Sequence, residues 1–315
     1  MNGAAKNSVT DSVIAPYRGR FAPSPTGPLH FGSLVAALGS YLDARAQGGQ
    51  WLLRIEDVDT QRTVAGAADA IQRTLADFGF AWDGEVIVQS QRLDLYHAAL
   101  VRLQLDGDVY PCACSRSAIA SATTRRSIDG ALLYPGTCRS GLPAGSAARA
   151  WRLRVPDQEI CFVDRVRDAA CQNLAHDVGD FVLLRADGLY AYQLAVVVDD
   201  AAQGVNAVVR GVDLLDSTAR QIYLQQRLGL PTPTYAHLPL AVNASGEKLS
   251  KQTRAAPVSA AQGSAPLIAA LRLLGQSVPD ELNGAPLAEF WHWAIDSWSL
   301  ARVPAVRAVD CSGAC

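Results

Sequence analysis

Hydrophobic positions from Tyr17 onward come in short bursts separated by turn residues, and the spacing within each burst predicts an element. Tyr17 to Ala22 reads as a strand, Pro23 to Pro28 as a turn-forming loop, and Ser33 to Gln47 as an apolar helix stopped at Gly48 and Gly49. Trp51 to Glu56 is a second strand, followed by helices at Thr63 to Phe78 and Gln91 to Asp106. This alternation predicts an α/β fold around a parallel sheet. Cys112 to Gly145, rich in Ser, Gly, Pro and Arg, breaks the rhythm and reads as an inserted subdomain. Strand patterns resume at Trp151 to Val155 and Gly188 to Val198, which makes Ala195 to Asp199 a strand flanked by Tyr192 and Arg210. A helix at Thr218 to Leu228 leads to a loop at Asn243 to Lys251, and helical patterns return at Pro266 to Gly275 and Leu287 to Trp298. Residues 1 to 16, polar and Ala-rich without a period, read as a loose arm.

Composition narrows the class. A chain of 315 residues, 49% of them hydrophobic and 18% charged, can bury a large core. Its apolar runs, such as Leu194 to Val198, fall far short of the roughly 20 residues that span a bilayer, and the N-terminal arm lacks a signal-peptide stretch. The expected location is therefore the cytoplasm, with no membrane partner. Seven cysteines in that compartment should stay reduced, which favours metal ligation or core packing over a disulfide framework. A net charge of −2 excludes a broadly basic nucleic-acid binder but leaves room for a local patch.

Two segments carry the strongest chemistry. One runs Arg20-Phe-Ala-Pro-Ser-Pro-Thr-Gly-Pro-Leu-His30-Phe-Gly32-Ser33; the other is Lys248-Leu-Ser250-Lys251-Gln252. In the first, the prolines and Gly27 hold a tight strand-to-helix loop. Gly32 leaves room for a nucleotide at the first turn of a helix, whose free amides attract phosphate. His30 can donate to the α-phosphate region. In the second, two lysines on a Gly-containing loop can close over the β- and γ-phosphates and stabilise charge on departing pyrophosphate. Either segment alone is more often an ordinary loop; their order and separation give the pair its weight.

Together they resemble the HIGH and KMSKS motifs of class I aminoacyl-tRNA synthetases, and the prefix from Arg20 to Gly27 is similar to the glutamate-specific branch. Ser33 stands where the first motif ends in histidine. The resemblance implies that His30, Gly32, Ser33, Lys248, Ser250 and Lys251 bind ATP, with Mg²⁺ on its phosphates, and that His30, Lys248 and Lys251 are catalytic. Glutamate needs guanidinium forks for its carboxylates and a carboxylate for its ammonium group. By resemblance, Arg20, Ala22, Ser24, Glu56, Tyr192 and Arg210 match that pocket, with Arg210 telling a side-chain carboxylate from an amide. Several of them sit at strand ends, where parallel sheets bind ligands.

Cys112, Cys114 and Cys138 form a third constellation with Tyr134 between them. Three thiols do not close a structural zinc site, so the residues alone read as zinc ligands wanting a fourth, with His97 a candidate, or as reduced packing cysteines. Cys161, Cys171, Cys311 and Cys315 read as structural or incidental. The Cys-x-Cys insert, the wording Lys-Leu-Ser-Lys-Gln and the short stretch after Lys251 resemble the glutamyl-Q tRNA(Asp) synthetases. That resemblance implies one structural Zn²⁺ on Cys112, Cys114, Tyr134 and Cys138, the tyrosine oxygen being the fourth ligand. It also implies a Rossmann-type parallel sheet split into residues 17–110 and 151–252 by a zinc-binding insert at 111–150. A short helical region at 253–315 would follow, with no anticodon-binding domain. The implied substrates are L-glutamate, ATP and the queuosine-bearing anticodon arm of tRNA(Asp), with Arg125, Arg126 and Arg139 as candidate phosphate contacts and no obligate protein partner. A truncated glutamyl-tRNA synthetase charging the tRNA 3′ end is the alternative.

Overall fold

The computed structural model describes residues 15–243, 246 and 256–311. Lys248, Ser250 and Lys251, and nearly all of the expected N-terminal arm, lie outside the described residues. The first unit is β1 (Arg18–Phe21), α1 (Phe31–Arg45) and β2 (Gln50–Ile55), with β1 and β2 parallel and Arg20 opposite Leu52. Strand β2 shows the two-residue period of a sheet with two covered faces. Trp51, Leu53 and Ile55 enter the cluster built around α1, and Leu52 packs into the cluster on the other side. Arg54 and Glu56 therefore share a face with Leu52.

Helix α2 (Ala67–Asp77) starts later than the pattern predicts, after Gly66 at φ 75°, a backbone angle that suits glycine. Then β3 (Ile87–Val88) extends the sheet beside β2, and α3 (Leu93–Leu105) buries Tyr96, Leu100 and Leu103 in the second cluster. Next come β4 (Val109–Cys112), α4 (Arg116–Ala122), β5 (Ala150–Leu153), β6 (Glu159–Asp164), β7 (Asp168–Asn173), α5 (Leu174–Asp177) and β8 (Val182–Leu184). Strands β4, β5 and β8 make a small antiparallel sheet whose first strand ends at Cys112.

Strands β6 and β7 form an antiparallel hairpin in which Cys161 lies opposite Cys171, and the two are joined by a disulfide. This departs from the expectation that every cysteine stays reduced. Only the hairpin register, which spacing along the chain does not reveal, brings the two side chains together.

Helix α6 (Tyr192–Ala202) corrects the strand expected over Gly188 to Val198. A short apolar run does not separate a buried strand from a buried helix, and here Leu194 to Val197 are buried within a helix that continues through Asp199 and Asp200. Strand β9 (Ala207–Gly211), α7 (Thr218–Leu228) and β10 (Thr234–Leu238) follow; β10 pairs in parallel with both β9 and β6. The helix expected at Thr218 to Leu228 is observed with those bounds. Strand β9 lies beside β1, where the Asn206 amide donates to the Arg18 carbonyl at 3.1 Å. Helix α1 presses against β10 at Gly39, where an added Cβ would lie 2.5 Å from a Leu238 methyl.

The last elements are β11 (Leu240–Val242), α8 (Ala265–Leu273), α9 (Leu287–Ser297) and β12 (Ala308–Asp310), with β12 parallel to β11. They complete the main core. Trp291 sits 4.9 Å from both Tyr41 and Phe80, ring centre to ring centre, and donates its indole N–H to the Phe78 carbonyl. Among the described residues no helix is long and apolar enough to cross a membrane.

Candidate functional site

The loop after β1 and the first turn of α1 open one wall of a cavity of about 440 Å³. His30 caps α1: its extended backbone stops the helix there, and its Nδ1 accepts the Ser33 amide at 3.2 Å. That acceptance leaves Nε2 to carry the ring proton in the neutral imidazole, where it faces Ser33 Oγ at 3.0 Å. The segment beyond the Lys-x-Ser-Lys motif returns beside the same loop, with Pro257 bridged to His30 and the Val258 amide on the Leu29 carbonyl.

Arg20, Ala22, Ser24, Glu56, Tyr192 and Arg210 line this cavity, and so do His30, Gly32 and Ser33. Two of these, Arg20 and Glu56, belong to a set of four alternating charges with Arg54 and Asp200. Asp200 of α6 accepts Arg20 Nε at 3.2 Å and Arg54 Nη1 at 2.7 Å, and Arg54 Nη2 reaches Glu56 Oε1 at 3.0 Å. Arg54 is fully buried. A buried charge persists only when paired and hydrogen-bonded, and this alternation places each charge beside an opposite one, with Gln203 Oε1 taking a further bond from Arg54 Nη1 at 2.8 Å. Burial raises the Glu56 carboxyl above its ordinary value, with Arg54 and Arg20 opposing the rise. For Asp200 burial acts the same way but the two arginines prevail, holding it below the usual carboxylate range. Asp199 turns to a separate set, taking Arg92 Nε at 2.7 Å and the Tyr96 hydroxyl at 2.7 Å.

Across the cavity, Arg210 stands at the end of β9. Its Nε donates to His237 Nε2 at 3.0 Å, Nη1 to Gln221 Oε1 at 2.8 Å and Tyr192 Oη at 3.4 Å, and Nη2 to the Leu214 carbonyl at 3.1 Å and Thr218 Oγ1 at 2.9 Å. His237 Nδ1 faces Asp164 Oδ2 at 2.6 Å. Burial pushes the His237 ring down to about 4, the nearby Arg210 charge adding to it and the Asp164 hydrogen bond opposing it.

At the end of β4 and in the segment that follows it, Cys112, Cys114 and Cys138 converge with their sulfur atoms within 4.8 Å of one another. Tyr134 Oη lies 3.4 Å from Cys112 Sγ and 3.6 Å from Cys114 Sγ, and Cys114 Sγ is 3.7 Å from Cys138 Sγ. A tetrahedral ion with bonds of about 2.3 Å to sulfur and about 2.0 Å to oxygen has edges of about 3.8 and 3.5 Å. The four donors thus fit an ion of zinc's size and chemistry. Arg152 stacks 3.9 Å over the Tyr134 ring and donates to Cys112 Sγ, supporting the cluster from behind. His97 is exposed on α3 and outside the cluster. Arg139 is tied to Asp180 at 2.8 Å and to the Val155 carbonyl, whereas Arg125 and Arg126 are exposed.

Comparison with known proteins gives this geometry a setting. Residues 17–283 match the family described as class I tRNA synthetases (E and Q), catalytic domain. A glutamate tRNA ligase from Elizabethkingia meningosepticum, solved with its amino acid, superposes with a TM-score of 0.77 at 26% identity, covering 94% of this chain and 67% of that one. The glutamyl-Q tRNA(Asp) synthetase of Dechloromonas aromatica is 64% identical over 92% of this chain and 96% of its own length. That of Aromatoleum aromaticum is 59% identical over 96% of both. The chain belongs to the glutamyl-Q tRNA(Asp) synthetase family.

Four residues beside the cavity were not singled out from sequence: Arg54, Asp200, His237 and Asp164. Arg54 had a signal, since it alternates with Glu56 on one face of β2. The adjacent Asp199 and Asp200 at the end of an apolar run had another, because buried carboxylates demand cations. His237 and Asp164 had none.

His237 also sets a pH dependence. Neutral in the fold and ordinary when unfolded, it binds more protons in the unfolded chain, so the stability it contributes is present above about pH 6.5 and lost as pH falls towards about 4. Urea unfolding at pH 7 and pH 4.5 should show the stability gap between wild type and His237→Gln narrowing by about 2 to 3 kcal/mol at the lower pH; an unchanged gap contradicts this.

Proposed function

We propose that this chain activates L-glutamate with ATP, without tRNA, and transfers it to queuosine at the wobble position of tRNA(Asp) in the cytoplasm. One observation carries the reading. A single cavity at the N-terminus of α1 has the Arg20/Glu56 charge set at one side and Arg210 with Tyr192 at another. Such an arrangement suits a substrate with two carboxylates and one ammonium group beside a phosphate site. Arg210 offers only donors, which match a carboxylate and oppose the N–H of an amide.

Activation joins a glutamate α-carboxylate oxygen to the α-phosphorus and breaks that phosphorus's bond to pyrophosphate, which leaves with the electron pair. Chain groups supply position and charge stabilisation: the His30 Nε2–H and the α1 amides at the α-phosphate, and Lys248 and Lys251 at the leaving phosphates. Mg²⁺ would share the phosphate charge. In the second step a cyclopentenediol hydroxyl of queuosine attacks the acyl carbon, AMP leaves and the hydroxyl proton is lost. Exposed Arg125 and Arg126 are our candidates for RNA phosphate contacts.

Glutamate should be transferred to tRNA(Asp) carrying queuosine, also after removal of its terminal adenosine, and not to the unmodified transcript. A transcript charged equally well, or glutamate esterified at the 3′ adenosine, would move the chain to 3′-end charging. We further assign zinc to Cys112, Cys114, Tyr134 and Cys138. Elemental analysis should find one zinc per chain, largely lost with Cys138→Ser together with several degrees of thermal stability; unchanged metal content rejects the site.

A further inference from the structure

The side of Arg210 facing away from the cavity is fixed by groups that the reading above leaves without a role. Pairing of β9 with β10 sets His237 directly opposite Arg210, and pairing of β10 with β6 brings Asp164 opposite Tyr235, two residues before His237. Both His237 and Asp164 are almost wholly buried. A guanidinium cannot accept a hydrogen bond, so His237 Nε2, 3.0 Å from Arg210 Nε, must be the acceptor and its proton must sit on Nδ1. Nδ1–H then points at Asp164 Oδ2, 2.6 Å away. Asp164 in turn is held by its other oxygen, which takes the amides of Val166 and Arg167 at 3.0 Å each and that of His237 at 3.3 Å. Burial disfavours that carboxylate, but these bonds prevail and keep it below its ordinary value.

Arg210 has five N–H donors and five partners. Four of its contacts run 2.8 to 3.1 Å to His237, Gln221, Thr218 and the Leu214 carbonyl, and the fifth, from Nη1 to Tyr192, is 3.4 Å long and joins two residues that both line the cavity. The fork is therefore tied at every edge except the one a substrate carboxylate can take.

We propose that Asp164 and His237 are positioning residues for amino-acid selection: Asp164 fixes the Nδ1–H tautomer of His237, and His237 thereby locks Arg210 with its Nη1 edge towards the side-chain carboxylate of glutamate. This rests on the pocket reading proposed above. The groups facing His237 are Asp164, Arg210, Thr218 and the Tyr235 ring stacked on it at 6.2 Å, with Arg167 acting through its charge. None but Asp164 accepts from Nδ1, so loss of the lock should not be replaced from elsewhere.

Two substitutions divide the roles. His237→Asn puts an amide near the Nδ1 position but falls short of Arg210; His237→Gln can set an oxygen near the Nε2 position and keep the Arg210 bond. In glutamate-dependent ATP/pyrophosphate exchange, His237→Asn should raise the glutamate KM by about tenfold or more, the worth of one buried charged hydrogen bond. It should also narrow the preference for glutamate over glutamine. The KM for ATP and kcat should stay within about threefold, and His237→Gln should recover most of the glutamate KM. An unchanged glutamate KM in a folded His237→Asn protein, or equal losses in both variants, overturns the proposal. Nitrogen NMR of the wild type gives a check that needs no stable variant: the His237 ring should carry its proton on Nδ1 at neutral pH, and an Nε2–H tautomer overturns the proposal. Arg210→Lys separates this from the pocket reading. If it leaves the glutamate KM intact, the pocket assignment fails; if it abolishes glutamate use while His237→Asn leaves the glutamate KM unchanged, only the positioning role fails.

Discussion

Asp200 is the constraint from which the rest of the site is built. Two arginines from neighbouring parallel strands, Arg20 on β1 and Arg54 on β2, point to the same side of the sheet, and neither can stay buried there without an anion. The carboxylate comes from α6, within 2.7 Å of Arg54 and 3.2 Å of Arg20. Arg54 then has a second fork edge for Glu56. Removing any one of the four would leave an uncompensated buried charge, a defect that typically costs about 3–5 kcal/mol. The set is thus structural and electrostatic at once: it ties α6 to the sheet, and it holds Arg20 and Glu56 in the cavity before any ligand arrives. A preset charge array of this kind stabilises a bound zwitterion without reorganisation.

The rest of the site follows from where that lattice holds α6. Tyr192 is the first residue of the helix and Asp200 is near its end, so anchoring Asp200 to β1 and β2 also sets Tyr192 beside Arg210. Strand β9 carries Arg210 and leans on β10, whose His237 backs it. On the other wall, His30 caps α1. The cysteine cluster belongs to a different body of structure, the small β4, β5, β8 sheet, with its own cluster of Tyr110, Cys112, Tyr134 and Cys138.

Much of this was legible in the chain because local rules decide it. The strand-loop-helix of residues 18–45, β2 and α7 follow from spacing, prolines and glycines, and the motif residues of the first segment meet because that unit is contiguous. What stayed hidden depends on packing between distant segments. The valine run before Asp199 reads as a strand until it is known that two carboxylates at its end find three arginines. The β6–β7 register, the Cys161–Cys171 disulfide and the Asp164–His237 pair all arise from strand pairings that no local pattern announces. Tyr134 reached the cysteines in the reading through family resemblance alone; the sulfur–oxygen distances of 3.4 and 3.6 Å now give it a geometric reason.

The central claim is that the folded chain by itself contains a complete glutamate-activating site. Its most direct test is ATP/pyrophosphate exchange by the purified protein in the absence of RNA, run side by side with glutamate and glutamine. The account predicts exchange with glutamate and none above background with glutamine. No exchange with glutamate, or exchange that starts only when tRNA is added, would contradict it.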